Sequence, residues 1–165
     1  MLFRSGGVRE PEILATVAAA GAAYVVMHTR GTPRTMRDEA RYDDVVAEVG
    51  AELRERVEAA MAAGVSPEAL YADPGIGFAK DAEQSRALLH ALPTLAAAAG
   101  VPLLVGASRK SFLGPLVGDG LDARDDATLA VSVWSFVNGA AAVRVHDVAA
   151  SCRAVALLEI GRAHV

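Results

Sequence analysis

The 165-residue sequence predicts an α/β protein built on a parallel sheet, and three observations carry that prediction. Short runs of β-forming apolar residues alternate with longer stretches of helical period. The runs are continuously apolar, as in strands covered on both faces, which belong to parallel sheets joined by crossover helices. Every run also ends in ionisable side chains. The order is one helix followed by four strand–helix pairs. At this level an open flavodoxin-like sheet and part of a (β/α)8 barrel fit equally well.

The elements follow in chain order. Residues 12–23 read as a helix ending near Gly21. Tyr24–His28 is a strand rich in β-formers, closed by the loop Gly31-Thr32-Pro33. Val45, Val49, Leu53, Val57 and Met61 recur every fourth residue, one face of an amphipathic helix over 41–63. Pro67 in Ser66-Pro67-Glu68 sits where a helical start tolerates it. Leu70–Asp73 is a second strand, stopped by Pro74-Gly75. Asp81 and Gln84 form a capping-box pattern opening a helix that runs to Leu92, where Pro93 interrupts. Residues 102–106 form a third strand, 125–138 a helix and 142–146 a fourth strand. Asp147 caps a last helix to about Leu158.

Composition excludes several function classes. The chain is 53% hydrophobic and 22% charged, so it folds rather than staying disordered. No run approaches the roughly 18 apolar residues of a membrane span, and a net charge of -4 does not suit nucleic-acid binding. A lone Cys152 forbids an internal disulfide. With no apolar leader visible before Gly6, the expected location is the cytoplasm.

The polar residues at the strand ends are the candidates, because the carboxyl edge of a parallel sheet is its active-site face. His28 ends the first strand, and Asp73 ends the second before a glycine-rich loop, Pro74–Lys80. The third strand runs into Ser108-Arg109-Lys110-Ser111, and the fourth carries Arg144, His146 and Asp147. Taken singly, each has an ordinary explanation: His28 terminates a strand, Asp73 makes a turn, Asp147 is an N-cap, His90 is a surface residue and Cys152 a small buried one. Gly75-Ile76-Gly77 matches neither phosphate-loop nor dinucleotide patterns, and the histidines show no metal-ligand spacing.

In combination, Asp-Pro-Gly-Ile-Gly-Phe-Ala-Lys (73–80), Gly-Ala-Ser-Arg-Lys-Ser-Phe-Leu-Gly (106–114) and Arg-Val-His-Asp-Val (144–148) closely resemble dihydropteroate synthase. Val-Val-Met-His (25–28) followed by Arg-Gly-Thr-Pro (30–33) fits the same family, and the resemblance covers residues 6–158. It implies a TIM barrel that condenses 6-hydroxymethyl-7,8-dihydropterin diphosphate with p-aminobenzoate in folate synthesis, releasing diphosphate, with Mg2+ as cofactor. It further implies that Asp73, Lys110, Arg144, Met27 and Phe78 bind the pterin and that Ser111 meets p-aminobenzoate. Arg144 and His146 would face the diphosphate, and Lys110, Arg144 and His146 would act in catalysis. The expected partners are the two substrates and, as is usual in the family, a second copy.

The resemblance also implies that 6–158 is the C-terminal half of the barrel, strands five to eight. A whole barrel takes roughly 250 residues. The metal-site asparagine of the family falls in the other half, so no metal ligand is expected here. Residues 1–5 and 159–165 resemble translated adapter sequence and are read as non-native ends. Cutting a barrel exposes two sheet edges. Inward side chains such as Val25, Leu103 and Val143 are then expected to lack partners, and the chain to dimerise or aggregate and to be inactive. A non-catalytic pterin-binding paralogue is the alternative.

Overall fold

The computed structural model describes residues 3–6, 11–118 and 120–162. Its strands are β1 (Phe3–Gly6), β2 (Ala23–Met27), β3 (Leu70–Asp73), β4 (Leu104–Val105) and β5 (Ala142–Val143). Its helices are α1 (Pro11–Ala20), α2 (Val45–Ala62), α3 (Ala82–His90), α4 (Leu92–Ala99), α5 (Gly114–Val117), α6 (Leu121–Val137) and α7 (Val148–Arg162).

All described pairings are parallel. β1 pairs with β2, β2 with β3, and β4 with β5. A single bridge, Ala72 to Leu103, joins β3 to the start of β4. Each strand therefore lies beside the next one in sequence. A flavodoxin-like sheet reverses its strand order at a switch point, so that alternative fails, and the chain is wound in one direction as in a barrel.

Four of the five strands correspond to the four read from the sequence. β1 is additional, and Phe3–Ser5, within the segment read as a non-native end, run in it. The helix expected over 41–63 starts at Val45 instead. Asp44 stops it from starting earlier by taking extended backbone and accepting from the Val46 and Ala47 N–H groups. Helix α4 was not expected. Pro93, read as an interruption, stands in its first turn, where a missing N–H costs nothing. The fourth strand is shorter than expected, and His146 and Asp147 lie beyond it. The capping box is present: Gln84 N donates to Asp81 Oδ1 and Asp81 N to Gln84 Oε1. Asp147 caps α7 by accepting from Ala150 N at 2.8 Å.

The core lies between β2–β3 and helices α2 and α4. Val49, Leu53 and Val57 of the predicted stripe of α2 are buried, with Ala60, against Leu92 and Leu95; Val45 is partly buried, and Met61, expected on the same face, is exposed because the face turns toward Ala60 at that end. Burial of each such side chain contributes about 1.5–3 kcal/mol. Val25 and Leu103 are fully buried, so the expectation that they lack partners fails for both. Val143, in contrast, is only partly covered. Cys152 is exposed rather than buried.

Candidate active site

The carboxyl ends of β3, β4 and β5 meet at one rim. Asp73 closes β3 and is 1% exposed. Its Oδ1 accepts from Gly75 N at 2.8 Å, and its Oδ2 lies 3.3 Å from Arg144 Nη2, reaching over from beyond β5. Burial pushes the carboxyl above its usual range, against the pull of the Gly75 N–H and of Arg144, Lys110 and Lys80. Arg144 can cross to Asp73 because it passes Gly106: a Cβ there would stand 2.8 Å from its Nη2.

Lys110 follows β4. Its ammonium sits 3.9 Å above the centre of the Phe78 ring, a cation–π contact. Partial burial lowers its amine, against the attraction of Asp73. Met27, at the end of β2, is in register with Asp73 and half-buried, so it borders the same rim. His146 Nδ1 lies 2.8 Å from Ser108 Oγ, and that oxygen also accepts from His146 N. Gly106, Ser108, Lys110, Arg144, Val145 and His146 line a cleft of about 270 Å³. Ser111 is exposed beside Lys110, at the start of a 3-10 turn over Ser111–Leu113. Asp73, Phe78, Lys110, Arg144 and His146 thus meet at this rim, Met27 and Ser111 border it, and His28 lies beneath it.

Two loops carry unusual backbone. Ala79 and Arg109 both have positive φ, 49° and 56°, which non-glycine residues seldom adopt and which costs about 1 kcal/mol or more each. Arg109 turns away from the cleft and grips Asp125 with two bonds, of 2.6 and 2.8 Å, while its N–H donates to Thr128 Oγ1. This anchors the loop that presents Ser108 and Lys110.

Sequence reasoning missed the layer beneath the rim. His28 is fully buried, and its Nδ1 lies 2.9 Å from Lys80 Nζ. Burial, with Lys80, Arg56 and Arg30 nearby, holds the imidazole down at about 2, so the ring is neutral. Its Nε2 lies 3.1 Å from Glu52 Oε2, off the line of a hydrogen bond. Glu52 also pairs with Arg30 and Arg56, and Arg56 donates to the carbonyls of Met27 and Thr29. Arg30 lies 4.1 Å above the Tyr42 ring. The fourfold repeat in α2 predicted its buried face but not that Glu52 and Arg56 turn toward the strand ends.

Among the described residues no group of three or more His, Cys, Asp or Glu side chains could hold a metal ion. Both Asp73 oxygens face protein donors. The described residues alone thus supply no Mg2+ ligand set. Nor does any helix among the described residues have the length and apolarity to cross a membrane.

The fold and rim define a singly wound parallel α/β protein that gathers a buried acid and several cations at its carboxyl edge. The chain belongs to the pterin-binding enzyme family, whose pattern matches residues 4–146. Within that family its similarity is to dihydropteroate synthases. It is 49% identical to that of Mycobacterium leprae, over 92% of this chain and 55% of the relative. It is 45% identical to that of Synechocystis, over 88% and 50%. The chain spans about half the length of these curated relatives. The crystal structure of the Stenotrophomonas maltophilia enzyme superimposes with a TM-score of 0.91 at 37% identity, over 99% of this chain and 62% of that one. The Thermus thermophilus enzyme in complex with 6HMPPP gives 0.89 at 39% identity, over 96% and 63%.

Proposed function

We propose that the chain forms the pterin- and diphosphate-handling part of a dihydropteroate synthase: half of a (β/α)8 barrel, with β2–β5 as strands five to eight. The observation that carries this reading is the meeting of Asp73, Lys110 and Arg144, which lie far apart in sequence, at one rim. Solved relatives hold 4-aminobenzoic acid and 7,8-dihydropteroate, which supports the same substrate classes here.

Asp73 suits the flat aminopyrimidinone edge of a pterin. A buried carboxylate accepts two parallel N–H bonds and gains most from donors that no water supplies. Lys110 donates to the ring from above Phe78, and Phe78 and Met27 give the ring apolar walls. Arg144 flanks the ring and, with His146, receives the diphosphate, whose charge a guanidinium and an imidazole at the start of α7 favour. Ser111 meets the carboxylate of p-aminobenzoate. In the reaction the C–O bond to diphosphate breaks, the electron pair leaving with diphosphate. The aniline nitrogen then bonds the pterin methylene carbon and loses its proton to solvent. Stabilising the leaving charge and holding the two reactants in line supply the acceleration. The Mg2+ implied by the resemblance has no ligand set among the described residues, and no step here runs through it. The reading also includes a cytoplasmic location, self-association, and negligible turnover by the 165 residues alone.

Calorimetric titration of the 165-residue chain with 7,8-dihydropterin and, separately, with inorganic diphosphate tests the reading. Pterin binding should fall at least a hundredfold in Asp73→Ala while diphosphate binding persists. Equal pterin affinity in the variant would refute it. Sedimentation and product assays check self-association and turnover: a stable compact monomer, or formation of dihydropteroate, would contradict them.

A further inference from the structure

Lys80 contacts no open face of the cleft, yet its placement beneath the rim ties it to that site. It is 8% exposed, and its amine has three neighbours within hydrogen-bond reach: His28 Nδ1 at 2.9 Å, the Phe78 carbonyl at 2.9 Å and the Gly75 carbonyl at 3.3 Å. An ammonium has three protons, and here there are three acceptors, all neutral. The His28 ring is held neutral and can accept at Nδ1. Burying an amine among neutral acceptors, which here lowers it to about 7, is an expensive way to gain stability and points to a role in arranging something.

What it arranges is the turn Gly75–Phe78, closed by the bond from Phe78 N to Gly75 O at 2.9 Å. Gly75 links two partners through one residue: its N–H fixes Asp73 Oδ1 and its carbonyl faces Lys80. The other end of the turn carries the Phe78 ring on which Lys110 rests. Behind it, Gly75 is pressed on β2 so tightly that a Cβ would fall 1.9 Å from His28 O. The same amine thus meets both ends of a turn that aims the buried acid and one wall of the cleft.

We propose that Lys80 is a positioning residue for the pterin site: its amine, seated on His28, clamps the Gly75–Phe78 turn so that the Asp73 carboxylate and the Phe78 ring face one flat ligand. This rests on the pterin reading above. The charged and titratable groups facing Lys80 are His28 from the end of β2, Arg30 and Tyr42 from the following loop, Glu52 and Arg56 from α2, and Asp73 from β3.

The test compares wild-type chain with Lys80→Met, which keeps bulk and removes the donors. Amide exchange should quicken at least tenfold at Gly75–Ala79 and stay unchanged in β2, β3 and α2. Affinity for 7,8-dihydropterin should fall at least tenfold, with that for inorganic diphosphate unchanged. Unaltered exchange in the turn, or loosening spread over β2, β3 and α2, would overturn the proposal, as would equal loss of both ligands. If wild-type chain binds no pterin, the functional reading fails, while the exchange pattern still decides the clamp. If Lys80→Met does not fold, nitrogen-15 spectra of wild type decide instead. The Lys80 ammonium protons should then be shielded from solvent, whereas exchange as fast as that of a surface lysine would overturn the proposal.

Discussion

The two ends of the sheet follow the same strand-then-helix plan and differ in how fully helices cover it. Around β2 and β3, α2 and α4 leave Val25, Leu53, Leu70, Leu92 and Leu95 with no exposed surface. Around β5, both strand residues stay partly exposed, and a cavity of about 680 Å³ opens between Phe136, Val143, Val148, Cys152 and Val155. Trp134 at 43% exposure, Val148 at 61% and Leu157 at 68% stand on the helices there. This cavity is larger than the cleft at the rim, yet it is mostly apolar, and among the described residues Arg144 is the one charged side chain that lines it. The polar groups converge instead at the smaller cleft, lined by Ser108, Lys110, Arg144 and His146. The difference also divides the site. Asp73, His28 and Lys80 are held by the covered region, whereas Arg144 and His146 come from the open one.

Four experiments break or sharpen that comparison. The largest expected effect is Leu95→Ala, which removes a buried side chain from a close-packed layer and should cost about 2–5 kcal/mol by denaturant titration. A loss below about 1 kcal/mol would mean that this region is not close-packed.

Next comes pH. The folded His28 imidazole lies at about 2, well below its unfolded 6.5. Below 6.5 the unfolded chain takes up a proton that the folded chain refuses, so stability drops by up to about 1.4 kcal/mol per pH unit as pH falls from 6.5 toward 2. Lys80, held at about 7 in the folded chain against 10.5, acts in a second window: stability rises with pH between 7 and 10.5. Asp73, raised by burial, opposes His28 above its ordinary carboxyl range, so each window is read as a difference from a variant. His28→Asn should lack the acid slope and Lys80→Met the alkaline one. Slopes equal to wild type would remove the buried pair from the account.

Asp44→Ala, which deletes the cap of α2, should cost about 1 kcal/mol by thermal melting. The smallest effect belongs to Leu157→Ala in the open region, within about 0.5 kcal/mol of wild type. A large loss there would show that α7 is packed in solution against something beyond this chain's own described surface.

Much of this was legible in the sequence because parallel strands write themselves as apolar runs and their active edge as the polar residue that follows. Asp73, Lys110 and Arg144 could be named as candidates on that basis, and the resemblance of three motifs to one family gave them roles. Pro93 misled because the same residue can end one helix or open another, and only the backbone on either side decides. β1 is absent from the sequence reading because Phe3–Ser5 resemble translated adapter sequence and Phe-Arg-Ser-Gly is short and polar. The burial and pairing of Lys80 and His28 are not written in the sequence, since burial of a lysine depends on how Gly75 lets two strands and a turn close over it. Cys152 was misjudged because residue type suggested burial while the open face of α7 leaves it exposed.

The central claim is that an acid, an amine and a guanidinium from three strand ends grip one flat ring. Titration of nitrogen-15-labelled chain with 7,8-dihydropterin, followed by amide and side-chain resonances, tests it most directly. The account predicts that Gly75, Phe78, Lys110 and Arg144 shift together along one binding curve, and that Asp73→Ala abolishes all four shifts. Shifts confined to the apolar cavity beside α7, or a binding curve that survives the loss of Asp73, would contradict it.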